Sequence, residues 1–329
     1  MSTPRSLELP YRVRSVKVTT ERGDFAALEA QPGHGVCERR PAVLVPGFTG
    51  SKEDFIAVLQ PLASAGREVV AIDMRGQYQS PAAPDNRGYA PGELAADVLA
   101  VADAVSRDSA ASETGPHGSA GVHLVGHSMG GLIARDAALL QTGRVLSLTL
   151  LGSGPGAIGG ERAVILRQLL AVLDPHEGRE DDDRDQLSAI IAQLWRDRLE
   201  PQARLEGTDE RIIAFLGERT EQTCPIGLIV MARYLLTSPD RTDELAALTR
   251  PADSPTQGAL PVMVIYGEDD DAWPPAAQHR MARRLHAERS CIPGAAHSPA
   301  VEAPDTTARA LTTFWNAAER RRPAAQPNA

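Results

Sequence analysis

Five short, unbroken apolar runs alternate with segments of helical periodicity, and this alternation restricts the fold more than any other feature of the chain. The runs are residues 42–46 (AVLVP), 67–74 (REVVAIDM), 121–126 (GVHLVG), 146–152 (LSLTLLG) and 261–267 (PVMVIYG). A strand with one face in water alternates apolar and polar residues, whereas continuous runs of this length fit strands covered on both faces. Helical patterns over 55–65, 92–106, 130–141, 276–286 and 304–318 supply the cover. The expectation is an α/β protein with a mostly parallel sheet and helices on both faces. Ahead of it, residues 11–20 and 25–31 read as an antiparallel hairpin joined through ERGD, with Gly23 and Asp24 in the turn.

One block breaks the alternation. Between 155 and 258 there is no strand pattern, but apolar residues recur at three- and four-residue steps in AVILRQLLAVL, LSAIIAQLWRDRL, RIIAFLGERT, IGLIVMARYLL and DELAAL. Sheet strands precede and follow the block, so it reads as an inserted helical cap. The expected organisation is a core of 1–154 and 259–322, a cap of 155–258 and a tail of 323–329, and 329 residues suffice for a domain with an insertion.

Formal net charge is −9 and the basic residues are scattered, which argues against nucleic acid as a partner. No run approaches the roughly 20 apolar residues that span a bilayer. The N-terminus passes directly into strand-like alternation without a signal-peptide core, so no membrane association and a cytoplasmic location are expected. Cys37, Cys224 and Cys291 are odd in number and far apart, as suits reduced thiols. The acidic run 178–186 (GREDDDRDQ) reads as a solvated loop rather than a metal site. No metal or cofactor is expected, the partner is a small-molecule substrate, and nothing in the sequence sets an oligomeric state.

In VHLVGHSMGGLIAR, Ser128 follows an apolar strand and opens a helical pattern, with glycines two residues to either side. A tight strand-to-helix turn can project such a serine above the sheet edge if its neighbours lack side chains that would collide, which is the nucleophile-elbow pattern in its supporting context. A serine nucleophile needs a base, and the base needs an acid to orient it. His279 and His286 fall on an amphipathic run, where a solvent-facing role suits them. His297, in CIPGAAHSPAVEAP, sits in a loop before the last helix and can reach back over the sheet edge. The acid should follow the strand that ends at Gly267. Glu268, Asp269, Asp270 and Asp271 all stand there, and spacing does not separate them.

Taken together, VLVPGFTGSKEDF, DMRGQYQSP, GHSMGG, YGEDDDAWPP and GAAHSPAVEAP, in this order, resemble the α/β-hydrolase family in its serine-hydrolase branch, with capped esterases and proline-iminopeptidase-like enzymes as relatives. The resemblance covers nearly the whole chain outside the cap. It implies Ser128 as nucleophile, His297 as base and Asp270 as acid. It also implies an oxyanion hole from the backbone N–H groups of Phe48 and Met129; a lost donor of this type costs about 3 kcal/mol. The chain departs from many relatives at Pro46, where a histidine is common, and at Tyr78, where a glycine is common.

The expected activity is hydrolysis of an ester or similar acyl compound through an acyl-enzyme. Dehalogenases and most epoxide hydrolases of this scaffold need a carboxylate where Ser128 stands. A proline-iminopeptidase-like aminopeptidase would need acidic cap residues facing an ammonium group, for which Glu218, Glu221 or 181–183 are available. Carbon–carbon bond hydrolases and cofactor-free haloperoxidases share the triad. A non-catalytic binding protein on the same scaffold has no need to keep the three residues together. Trp195, Phe215, Met231 and Tyr234 are candidates to line an apolar pocket under the cap, with packing between cap helices as the alternative for each.

Overall fold

The computed structural model describes residues 2–33, 39–110, 121–174, 184–250 and 259–321. Cys37, residues 181–183, most of the acidic run, the last stretch of the expected cap and the tail lie outside the described residues.

Eight strands form one sheet: β1 Val13–Thr20, β2 Gly23–Ala30, β3 Ala42–Val45, β4 Val69–Ile72, β5 Val122–His127, β6 Val145–Leu151, β7 Val262–Gly267 and β8 Glu288–Ile292. Their order is β1-β2-β4-β3-β5-β6-β7-β8, antiparallel at β1–β2 and β2–β4 and parallel from there on. Every residue of β3, β4, β5, β6 and β7 is buried, which accounts for the unbroken apolar runs.

The hairpin differs from expectation at its turn. Thr20 pairs with Gly23, so Glu21 and Arg22 form the turn while Gly23 and Asp24 belong to β2. The Thr20 hydroxyl accepts from Arg22 N at 3.1 Å and donates to Gly23 O at 2.9 Å, and Arg22 is drawn towards Asp97 and Glu93. Side-chain closure of this kind leaves no mark in a turn dipeptide.

Helices α1 (Ile56–Ser64), α2 (Pro91–Ala110) and α3 (Met129–Leu140) follow β3, β4 and β5. Between β6 and β7 come α4 (Gly160–Leu173), α5 (Arg184–Leu194), α6 (Glu200–Leu205), α7 (Glu210–Gln222), α8 (Pro225–Thr237) and α9 (Thr242–Leu248), with a π-type turn at Trp195–Leu199 and no strand among the described residues. The chain closes with α10 (Pro275–Arg284), α11 (Pro299–Glu302) and α12 (Pro304–Arg321). One core joins α2, α3 and α10 to one face of the sheet and extends into α4 and α8; the other packs α1 and α12 on the opposite face.

Two buried polar clusters tie the β6–β7 insertion to the sheet. Arg135 of α3 donates to Pro155 O at 2.8 Å and lies beside Asp136, which accepts from Tyr234 Oη at 2.6 Å and from Arg241 at 2.9 Å. Arg219 of α7 reaches Asp54 at 2.9 Å, just before α1, and also donates to Ser2 O at 2.8 Å. Burial pushes the Asp54 carboxyl up to about 6 in spite of that guanidinium. Cys224 and Cys291 are free thiols. No helix among the described residues is long and apolar enough to cross a membrane.

Candidate active site

The turn between β5 and α3 carries Ser128 at φ +54, in the left-handed region that a side chain rarely adopts. Crowding explains the flanking glycines. A Cβ on Gly126 would come within 2.2 Å of Gly130 O, and one on Gly130 within 2.3 Å of Pro46 O, both backbone atoms that cannot swing aside. The turn is closed by Ser128 N donating to Leu151 O at 2.9 Å and Gly131 N donating to Ser128 O at 2.9 Å.

Ser128 Oγ lies 3.0 Å from His297 Nε2, and His297 Nδ1 lies 3.0 Å from Asp270 Oδ1. All three side chains are nearly buried, with Asp270 only 3% exposed. Of the four neighbouring carboxylates only Asp270 turns inward. Its Oδ1 also accepts from Ala272 N at 2.9 Å, and its Oδ2 accepts from Gln278 Nε2 at 2.7 Å. Glu268 and Asp269 are exposed, and Asp271 pairs with Arg162 on the surface at 2.7 Å.

The loop that carries His297 is held from two directions. Glu302 accepts from the backbone N–H groups of Ala296 and Ser298. His127, at the end of β5, donates through Nε2 to His297 O at 2.9 Å. Burial first, and the neighbouring His297 second, push the His127 ring down to about 3, so at neutral pH it is an uncharged prop. Of the other late histidines, His286 is exposed and His279 meets Arg289 of β8.

After β3, Gly47 packs over the elbow: a Cβ there would stand 3.0 Å from Ser128 Cβ. The N–H groups of Phe48 and Met129 have no acceptor among the described residues. Tyr78 takes φ +37, so the left-handed geometry suited to glycine is kept by a tyrosine. Its ring meets Phe215 edge-on at 5.6 Å and lies beneath Lys52 Nζ at 4.6 Å, and its hydroxyl reaches Glu218 at 3.3 Å. These contacts hold the ring in that conformation.

The expectation of an apolar pocket lined by Trp195, Phe215, Met231 and Tyr234 does not hold as stated. Phe215 packs with Ile212, Ile213 and Leu216, Met231 lies in the main core, and the Tyr234 hydroxyl is engaged by Asp136. Trp195 borders a cavity of about 350 Å³, but its walls include Glu200, Arg204, Glu210, Glu218 and Glu221. Arg204 pairs with Glu200 and Glu210. His127, Gln278 and Glu302 escaped the sequence reading because each matters through a contact that residue type and spacing do not mark: a backbone carbonyl for His127 and Gln278, and backbone N–H groups of the His297 loop for Glu302.

A hydroxyl hydrogen-bonded to an imidazole whose far nitrogen is held by a buried carboxylate can lose its proton to the ring as it attacks an electrophile, with the carboxylate offsetting the imidazolium. Residues 42–310 match the model of the alpha/beta hydrolase family, and the chain belongs to that family. Among curated relatives, a Variovorax paradoxus protein named for carbamate hydrolysis is 36% identical over 120 residues, 36% of this chain and 40% of that protein. An epoxide hydrolase from Caballeronia sordidicola is 31% identical over 160 residues, 48% of this chain and 43% of that protein. The chain thus spans about two fifths of the length of the curated relatives it matches. In fold it is similar to a thermophilic esterase from Thermogutta terrifontis, with a TM-score of 0.61 and 23% identity over 93% of this chain and 99% of that one.

Proposed function

We propose that the protein is a serine hydrolase that cleaves an ester or similar small acyl substrate through an acyl-enzyme. Ser128 is the nucleophile and His297 the base that takes its proton and returns it to the leaving group. Asp270 fixes the ring tautomer and offsets the imidazolium, and the Phe48 and Met129 N–H groups receive the oxyanion. The observation that carries this reading is the continuous Ser128–His297–Asp270 hydrogen-bond chain, 3.0 Å at each link. An epoxide hydrolase reading is less well supported, because Ser128 stands where that chemistry calls for a carboxylate.

A fluorophosphonate probe is expected to label Ser128, and Ser128→Ala to abolish both labelling and turnover with the circular dichroism spectrum unchanged. Labelling of another serine, or turnover by the alanine variant, refutes the assignment. A second reading, aminopeptidase, requires acidic cap residues facing a substrate ammonium group; Glu218 and Glu221 border a cavity beside Trp195, whose lining includes none of Ser128, His297 and Asp270. A panel of p-nitrophenyl esters of graded chain length beside amino-acid p-nitroanilides separates the two. The ester reading expects ester turnover with the anilides inert, and the reverse result selects the peptidase.

A further inference from the structure

Exchanging one side chain for another leaves a backbone donor in place, and proline, which removes it, also fixes φ, so the side chains that aim these donors are the accessible part of an oxyanion site. Gln77 is fully buried in the turn after β4, and both ends of its amide are used. Its Oε1 accepts from Met74 N at 3.2 Å, and Gln77 N donates to Met74 O at 2.9 Å, which anchors the residue on its own loop. Its Nε2 donates to Gly47 O at 2.8 Å, across the site.

The Gly47 carbonyl and the Phe48 N–H are opposite ends of one planar trans peptide. A bond that fixes the direction of the oxygen therefore fixes the direction of the hydrogen. Accepting a hydrogen bond at the oxygen also polarises the amide and makes the N–H a stronger donor. Gly50 N supplies a second bond to the same oxygen at 3.1 Å, but it comes from within the same loop, whereas Gln77 reaches it from a separate segment. The peptide lies against the elbow, given the 3.0 Å approach to Ser128 Cβ described above.

We infer that Gln77 is a positioning residue that holds and polarises the peptide whose N–H receives the oxyanion. The inference rests on the serine-hydrolase reading. A purely structural Gln77 would tie two loops together, and its loss would lower stability and the fraction of active molecules without changing turnover by those that remain active. A positioning role affects the transition state.

The test compares the parent with Gln77→Met and Gln77→Glu, the latter keeping size and the acceptor toward Met74 while lacking the donor. Turnover of a p-nitrophenyl ester is measured per site titrated with fluorophosphonate. Inhibition by phenylboronic acid, which forms a tetrahedral adduct on serine, is measured alongside. The expected result is a fall in kcat of about tenfold to a hundredfold, somewhat less than deletion of a whole donor, with KM within about threefold and boronate inhibition weakened in proportion to kcat. If the methionine variant does not fold, the glutamate variant carries the comparison. Variants whose kcat per titrated site and boronate inhibition stay within about twofold of the parent overturn the inference and leave the serine-hydrolase reading standing. A parent that the probe does not label at Ser128 overturns both.

Discussion

Asp270 and its three acidic neighbours differ in surroundings, not in chemistry. Asp270 accepts two or more hydrogen bonds in addition to that of His297, while Asp271 faces water beside Arg162. An amide at position 270 would present a donor where His297 Nδ1–H needs an acceptor and would remove the charge that offsets the imidazolium. Asp270→Asn is expected to lower kcat by roughly 10³ to 10⁴, the scale of the same change in the serine-protease triad. Glu268→Gln, Asp269→Asn and Asp271→Asn should each stay within about tenfold, because exposed charges act only through a screened potential. Steady-state kinetics on the four variants decide it, and a large loss at 269 or 271 with position 270 unaffected would move the acid. Spacing left these four residues equivalent. What distinguishes them is that the turn folds Asp270 inward onto the Ala272 N–H, where Gln278 of α10 meets its second oxygen and His297 its first, and the spacing of four adjacent carboxylates does not show which one turns in.

At the level of elements, legibility followed the range of the forces involved. The β5–α3 turn was readable because Gly126 is constrained by a clash with Gly130 only four residues on, while Gly130, which is pressed against Pro46 of the β3 loop, stands at the matching position on the other side of Ser128. The buried strands were readable because cover on both faces leaves continuous apolar runs. The hairpin turn was not, since Thr20 and the pull of α2 on Arg22 decide it. The docking of α12 belongs to the same class of tertiary information. Its Glu319 accepts from Arg67 at 2.8 Å and lies 3.0 Å from His123 Nε2 of β5. Burial alone would raise this carboxyl, but the His123 hydrogen bond and the Arg67 charge bring it down to about 2. A carboxyl depressed on folding contributes stability above its ordinary value of 4.5 and loses that contribution as pH falls towards 2. Urea unfolding of Glu319→Gln should therefore show a deficit against the parent at pH 7 that narrows between about pH 4.5 and 2. A deficit independent of pH would mean that packing, not charge, is what the residue supplies.

Across the whole molecule, the insertion between β6 and β7 is joined to the rest of the protein by many polar links, and the Arg219–Asp54 ion pair is deeply buried, its two side chains 1% and 3% exposed. Removing one member of such a pair strands the other charge, so Arg219→Met should lower the free energy of unfolding by about 3 to 5 kcal/mol. Adding Asp54→Asn should restore a substantial part of it. The loss should also shrink as pH falls, because a carboxyl already pushed up to about 6 by burial takes up a proton more readily once its guanidinium is gone. Chemical denaturation at pH 8 and pH 5 tests both statements, and a double variant no more stable than Arg219→Met would contradict the account. The Ser128–His297 contact closes a stretch of 169 residues and depends on β5, β6, β7 and β8 lying side by side. On the serine-hydrolase proposal, a nascent chain is consequently inert until its last strand has been made and docked, and contacts of such sequence separation form late and slowly. During refolding, recovered turnover would date the completion of the sheet rather than its beginning, and it should lag behind the return of helical circular dichroism.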